Sequence, residues 1–252
     1  MPYVRRTTVA GKTIEVEYYY TARYNKKGQN RSKKVKATPE QQKKINRRQA
    51  ERKLRLLMNA NFGYGDYHIV LDYIRRPGKP DRTPEEMKKD AQVFLRECRK
   101  LYRRQGKEFK YIHVMEIGRK GARHHHLVVN GIEPKILQQA WYKAYEGHNR
   151  VKIFPLDDSG QYADLAAYFI KYSDAHLRDD KEKRLQGRRW DASRNLIRPQ
   201  PVYEIVSKRA WFRHEERARK GYYIDKKRTE WRDASPEYAG YGFFRYTMVR
   251  LE

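Results

Sequence analysis

The chain has 252 residues, with 58 Lys and Arg against 31 Asp and Glu, a formal net charge of +27. That length suits one large domain or one domain with appendages, and an excess of that size points to a polyanionic partner, nucleic acid before membrane. No apolar run approaches ~18 residues, so no segment reads as spanning a bilayer. Met1-Pro2-Tyr3-Val4-Arg5-Arg6 lacks the apolar core of a secretory signal, and the single Cys98 excludes an internal disulfide and a cysteine-based zinc site. A reducing cytoplasm fits these features.

Residues 13–24 predict a strand from their β-branched and aromatic content, and Asn25 to Lys36 reads as a basic loop. Val9-Ala10-Gly11-Lys12-Thr13 ends like a phosphate-binding loop, but Arg6 stands where that loop requires a glycine, so no nucleotide cofactor is expected. Thr38-Pro39-Glu40-Gln41 is a capping box opening a basic helix to about Met58. Tyr67 to Tyr73 predicts a core strand, stopped by Pro77 and Pro80. Thr83-Pro84-Glu85-Glu86 opens an amphipathic helix through Met87, Ala91, Phe94, Leu95, Cys98, Leu101 and Tyr102.

Tyr111–Ile117 and the strand beginning at Arg123 form an expected hairpin around Gly118-Arg119-Lys120-Gly121. Further along, the chain predicts a helix around Ile136–Ala144, a short strand Val151–Phe154 and a helix Gly160–Ser173. A charged connection runs to Asp191. Strands at Pro201–Val206 and Tyr241–Val249 flank a basic helix near Lys208–Lys220. The order from 67 to 173 is that of a split β-α-β fold: an α+β antiparallel sheet with helices on one face, ferredoxin-like, with basic N- and C-terminal extensions. Such a sheet keeps one face open for a ligand.

Strand side chains alternate between faces, so His124 and His126 point one way and His125 the other. Pairing Ile117 with Arg123 across five residues puts Glu116 opposite His124, bringing two imidazoles and a carboxylate to one face. That donor set suits Mn²⁺ or Mg²⁺ engaging a phosphate oxygen; zinc also fits the ligand types. The plain alternative is a pair of surface histidines on a basic chain.

Wound at about 100° per residue, the 161–173 helix gathers Tyr162, Leu165, Ala166, Phe169 and Ile170 into an apolar stripe. Tyr168 falls beside it with Asp164 and Lys171, and Tyr172 is its neighbour one turn on. A phenol is a weak nucleophile near neutral pH, and Lys171 is expected to lower the cost of its phenolate. The alternative role for Tyr168 is an interfacial aromatic.

His124-His125-His126-Leu127-Val128 together with Tyr168-Phe169-Ile170-Lys171 resembles the paired motifs of HUH endonucleases, specifically the rolling-circle replication initiators (Rep) of bacterial plasmids and single-stranded DNA phages. His68-Ile69-Val70-Leu71-Asp72-Tyr73, Met115-Glu116-Ile117-Gly118 and Ser193-Arg194-Asn195-Leu196-Ile197-Arg198-Pro199 resemble further segments of these proteins. His125 departs from the hydrophobic residue usual at the middle position. The resemblance implies nicking and rejoining of single-stranded origin DNA through a 5′-phosphotyrosine. It implies Glu116, His124 and His126 as metal ligands, Tyr168 as nucleophile with Lys171 beside it, and Tyr172 as a candidate second nucleophile. Ala175 stands where Tyr172 would want its own lysine.

Arg119, Lys120 and Arg123 at the hairpin are the expected DNA-contacting cations. With no nucleotide site, unwinding falls to a host helicase. The corresponding division is 1–60 as an N-terminal extension, 61–206 as the endonuclease domain, and 207–252 as a C-terminal extension packing on the core. Competing readings are a transposase or relaxase with the same chemistry, and a non-catalytic basic nucleic-acid-binding protein. Relaxases commonly carry the tyrosine before the histidine motif, and here it follows.

Overall fold

Fifteen regular elements follow one another along the described chain: β1 (Tyr3–Ala10), β2 (Thr13–Tyr20), α1 (Pro39–Asn61), β3 (Tyr67–Asp72), α2 (Pro84–Arg104), β4 (Tyr111–Ile117), β5 (Arg123–Val129), α3 (Pro134–Ala144), β6 (Val151–Pro155), α4 (Ala163–Ser173), β7 (Asp191–Ala192), β8 (Val202–Val206), β9 (Tyr222–Ile224), β10 (Glu230–Ser235) and β11 (Tyr241–Arg250). The structure, a computed structural model, describes residues 3–21, 24, 36–74, 81–118, 120–145, 150–174, 187–207, 216–238 and 240–251. Most of the expected 25–36 loop, Pro77, Pro80, Arg119, Ala175, most of the charged connection and residues 208–215 of the expected basic helix lie outside the described residues. Residues 216–220, the rest of that helix, are loop and turn instead.

The chain forms two compact units. One combines Met1–Ala60, Ser159–Gln161 and Ile197–Glu252, and the other combines Asn61–Asp158 and Tyr162–Leu196. The second unit is α+β, built on an antiparallel sheet in the order β6-β3-β5-β4-β7. Odd-numbered positions of β3 and β5 (Ile69, Leu71, Leu127, Val129) face Phe94, Leu95 and Cys98 of α2 and Leu137 and Trp141 of α3, making the main core. The Thr83 capping box is formed: Thr83 Oγ1 accepts from the Glu86 amide at 3.2 Å, and Glu86 Oε2 accepts from the Thr83 amide at 2.8 Å. Helix α4 starts at Ala163 rather than Gly160 and lies on the other face of the sheet, where Phe169 packs against His68 and His126. The face expected to stay open is therefore partly roofed by the helix that carries the tyrosines.

The segment from Ser193 to Leu196 pins the β4 edge. Ser193 exchanges two bonds with the Tyr111 backbone, at 3.0 and 3.1 Å. Asn195 Nδ2 donates to the Phe109 carbonyl at 3.3 Å, and Leu196 is buried.

The first unit is a sheet in the order β10-β11-β2-β1-β8, with β9 added to β11. The Gly-Lys-Thr run is its β1–β2 hairpin turn: Ala10 pairs with Thr13, and Gly11 takes φ +56°. Strand β8, expected within the 61–206 segment, pairs with β1 from Tyr3↔Val206 to Thr7↔Val202. Ile14, Val16, Phe244, Tyr246 and Met248 form an apolar face. On the opposite face Glu15 is buried and clamped by Arg52 and Arg55 of α1, with Arg55 also donating to Thr247 at 3.3 Å.

Candidate functional site

Strand register assembles the site in rows. Hairpin β4–β5 pairs Ile117 with Arg123 and Glu116 with His124, as the spacing predicted. Strand β3 adds Asp72 opposite His124, Val70 opposite His126 and His68 opposite Val128. Strand β6 adds Lys152 opposite Val70 and Phe154 opposite His68. Directly opposed residues share a face. The α4 face of the sheet thus carries Asp72–His124–Glu116 in one row, Lys152–Val70–His126–Val114 in the next and Phe154–His68–Val128–Ile112 in the third.

Within these rows the polar groups pair. His124 Nδ1 donates to Asp72 Oδ1 at 2.7 Å, and Lys152 Nζ holds the other Asp72 oxygen at 2.7 Å. Burial opposes the Asp72 charge, but these two hydrogen bonds outweigh it and keep the carboxyl below its ordinary range. His126 Nε2 donates diagonally to Glu116 Oε2 at 2.7 Å, both groups being buried. His126 Nδ1 is buried with no hydrogen-bond partner among the described residues.

The three expected ligands therefore share one face, and Glu116 touches His126. Yet among the described residues no three His, Cys, Asp or Glu side chains are gathered at metal-binding spacing. His124 is bonded to Asp72 instead. By chemistry the set fits a divalent ion. A carboxylate fixing Nδ1 of an imidazole leaves Nε2 for ligation, the usual outer support of a metal-bound histidine. The orphaned nitrogen of His126 adds an unsatisfied donor atom at the centre of the face.

Helix α4 brings the tyrosines over His126. The His126 ring lies 5.3 Å from that of Tyr168 and 5.7 Å from that of Tyr172, and the two tyrosine rings are 4.3 Å apart. Tyr168 is 37% exposed, with Asp164 and Lys171 on the same exposed flank, while Phe169 and Ile170 are buried beneath. The expected effect of Lys171 on Tyr168 is not found. Burial, then the Tyr172 hydroxyl and the Glu116 carboxylate, push the Tyr168 phenol up to about 12. Lys171 instead sits over the Tyr172 ring, its Nζ 5.8 Å from the centroid.

At the hairpin, Arg123 spends its guanidinium on Asp81 at 2.7 Å and on the Gly121 carbonyl at 2.8 Å. Lys120 is exposed.

His125 faces away from the site, as alternation requires, into the α2–α3 core. Its Nε2 lies 2.9 Å from the Tyr73 hydroxyl and its Nδ1 2.9 Å from His113 Nε2, while Tyr73 donates to Asp90 at 3.1 Å. No motif or spacing points to this network. Asp72, Lys152 and His68, also unassigned from sequence, were within reach of it. Once β3 is registered on β5, their even parity puts them on the histidine face.

Residues 64–176 match the model of the replication-associated protein ORF2/G2P family. The match runs from just before β3 to just past α4 and takes in Asp72, Glu116, His124, His126, Tyr168, Lys171 and Tyr172. No curated protein and no solved structure matches the chain. No helix among the described residues is long and apolar enough to cross a membrane.

Proposed function

We propose that this chain initiates replication by nicking and rejoining single-stranded DNA through Tyr168, as HUH rolling-circle initiators do. The observation that carries the reading is the meeting of two motifs far apart in sequence: the Tyr168 ring stands 5.3 Å from the His126 ring, whose Nε2 bonds Glu116. The match of residues 64–176 to a replication-associated family supports the same reading.

In this reading the Tyr168 oxygen attacks the scissile phosphorus and gives up its proton. The bond from phosphorus to the 3′ oxygen breaks, and that oxygen leaves as a 3′-hydroxyl after taking a proton. The 5′ phosphate stays on Tyr168. One phosphoester replaces another, so no nucleotide is hydrolysed, and the reverse attack rejoins the strand. Glu116, His124 and His126 would hold Mn²⁺ or Mg²⁺, which when bound polarises a phosphate oxygen. Asp72 orients the His124 ring. Burial, then Tyr172 and Glu116, raise the Tyr168 phenol, and cationic neutralisation beside Glu116 would relieve the last of these. Lys171, exposed on the same flank, supplies a cation for the phosphate, and Tyr172 is placed for a second transfer. Lys120 and Arg123 on the β4–β5 hairpin, with Arg119 between its strands in sequence, are the cations proposed to meet the DNA, which a host helicase would open.

The test is the covalent product. The full chain is incubated with Mn²⁺ and labelled single strands tiled across the DNA around its own gene, and an SDS-resistant adduct is sought. Tyr168→Phe is expected to abolish it, and an adduct that persists moves the nucleophile to Tyr172. Replacing both His124 and His126 by Ala should remove cleavage while sparing salt-dependent binding.

A further inference from the structure

Strand β6 is an edge of the second unit's sheet, and it carries one residue that edge chemistry does not explain. Edges are ordinarily blunted by brevity, lysine and proline, and β6 is five residues long with Lys152 and Pro155. Val151 and Ile153 turn inward and pack on the main core. Phe154 points to the other face, where it remains 49% exposed.

That ring is the outer end of a row of rings. Phe154 lies 5.6 Å from His68, His68 lies 6.1 Å from Tyr168, and Tyr168 lies 4.3 Å from Tyr172. An exposed aromatic face thus continues inward to the two tyrosines. Lys152, two positions along the same strand and on the same face, is ~6.6 Å away by strand geometry. It is half-exposed, with its ammonium against Asp72. An aromatic face and a cation at that separation meet the base and the backbone phosphate of one nucleotide, the pairing that suits a single strand.

The geometry points to Phe154 and Lys152 as a subsite for a nucleotide flanking the scissile phosphate: the base stacks on Phe154, and the adjoining phosphate is met by Lys152. The subsite reads strandedness rather than sequence, since every base has a π-face and a paired base has none free. It rests on the proposed cleavage of single-stranded DNA, and it adds residues that neither the motifs nor the family match single out.

The experiment uses the full chain and a short fluorescein-labelled oligothymidylate at fixed salt, read by anisotropy. Phe154→Ala should weaken binding about 5- to 150-fold, the range for losing one base stack, while Phe154→Tyr keeps affinity and controls for folding. Lys152→Ala should lower the salt slope by ~0.7, the loss of one phosphate contact. Ultraviolet irradiation with a 5-iodouracil-substituted strand should crosslink the peptide containing Phe154. Affinity of Phe154→Ala within about twofold of the native chain, or crosslinks that map only elsewhere, overturns the subsite. If the adduct of the preceding section forms while Phe154→Ala binds normally, the subsite alone falls. If Phe154→Ala loses binding as expected and no adduct ever forms, cleavage alone falls. A native chain that binds no oligothymidylate overturns the subsite, and the adduct assay alone then decides cleavage.

Discussion

Behind the histidine strand, four side chains form a directional chain whose proton positions follow from bonding alone. Asp90 accepts only, so Tyr73 donates to it. The Tyr73 oxygen must then accept from His125 Nε2–H, which leaves His125 Nδ1 to accept from His113 Nε2–H. Burial holds both imidazoles down, His113 to about 3 and His125 well below its ordinary value, so both are neutral at pH 7. Tyr73→Phe removes the central acceptor and leaves His125 Nε2–H buried and unpaired, at a cost of about 1–3 kcal/mol. Asp90 keeps Arg82 at 3.3 Å, so it adds little. For a unit of this size that is a drop of roughly 3–12 °C in Tm.

His125→Leu alone orphans His113 Nε2–H and should cost a similar ~1–3 kcal/mol. The double variant Tyr73→Phe/His125→Leu leaves only the His113 orphan. The second substitution should therefore be nearly free once the first is made, with a coupling energy of ~0.5–3 kcal/mol. Urea unfolding of all four proteins, followed by circular dichroism at constant m, measures it. Strictly additive costs would refute the proton assignment, as would two singles that each fall within ~0.5 kcal/mol of the native chain.

Asp72→Ala should weaken Mn²⁺ binding about 10- to 100-fold by calorimetric titration, because His124 loses the carboxylate that orients it; an unchanged affinity would remove His124 or Asp72 from the site. Glu15 is buried, but the Arg55, Arg52 and Arg245 charges outweigh desolvation and hold its carboxyl at about 2. A lowered folded pKa contributes stability that is full above the unfolded value near 4.5 and lost as pH falls through about 2, here about 3 kcal/mol. Glu15→Gln should lower the urea midpoint at pH 7 and flatten its decline between pH 4.5 and 2. Gly11→Ala should destabilise by at least ~1–2 kcal/mol, since Gly11 sits at φ +56° and a Cβ would stand 1.9 Å from the Asn59 carbonyl oxygen; a neutral result by thermal melting would mean that the β1–β2 turn is not formed as described.

The fold of the second unit was legible because its signals are local. Capping boxes at Thr38 and Thr83 fixed two helix starts within a residue, and a five-residue turn fixed the register of β4 on β5. The first unit was far less legible. Strand β1 is weakly marked in sequence: Thr7, Thr8 and Val9 are β-branched and Gly11-Lys12 is a two-residue hairpin turn, but Arg5-Arg6 breaks the apolar alternation. Its partner β8 lies some two hundred residues away in sequence, and nothing in Val202–Val206 names β1 as its neighbour. Strand β9 has three residues, β10 has six with three of them charged, and each is closely followed by a 3₁₀ turn, at Lys226–Arg228 and Pro236–Tyr238, which leaves little length for a period-2 pattern.

At the site the limit was of another kind. Parity along strands predicts which side chains share a face, and it placed Glu116, His124 and His126 together while sending His125 away. Parity does not say which acceptor an imidazole prefers. His124 stands between Asp72 and Glu116 in one row, and it bonds Asp72 while Glu116 takes His126 on the diagonal. The same reasoning applies to α4. Spacing put Tyr168 and Lys171 on one flank, and a flank is too coarse to say that the ammonium lies over Tyr172. With Lys171 beside Tyr172 and Glu116 acting on Tyr168, the two phenols differ in environment though they share a helix face. The Tyr168 phenol, raised by burial first and then by Tyr172 and Glu116, faces the histidine cluster, whereas Tyr172 has the Lys171 ammonium over its ring.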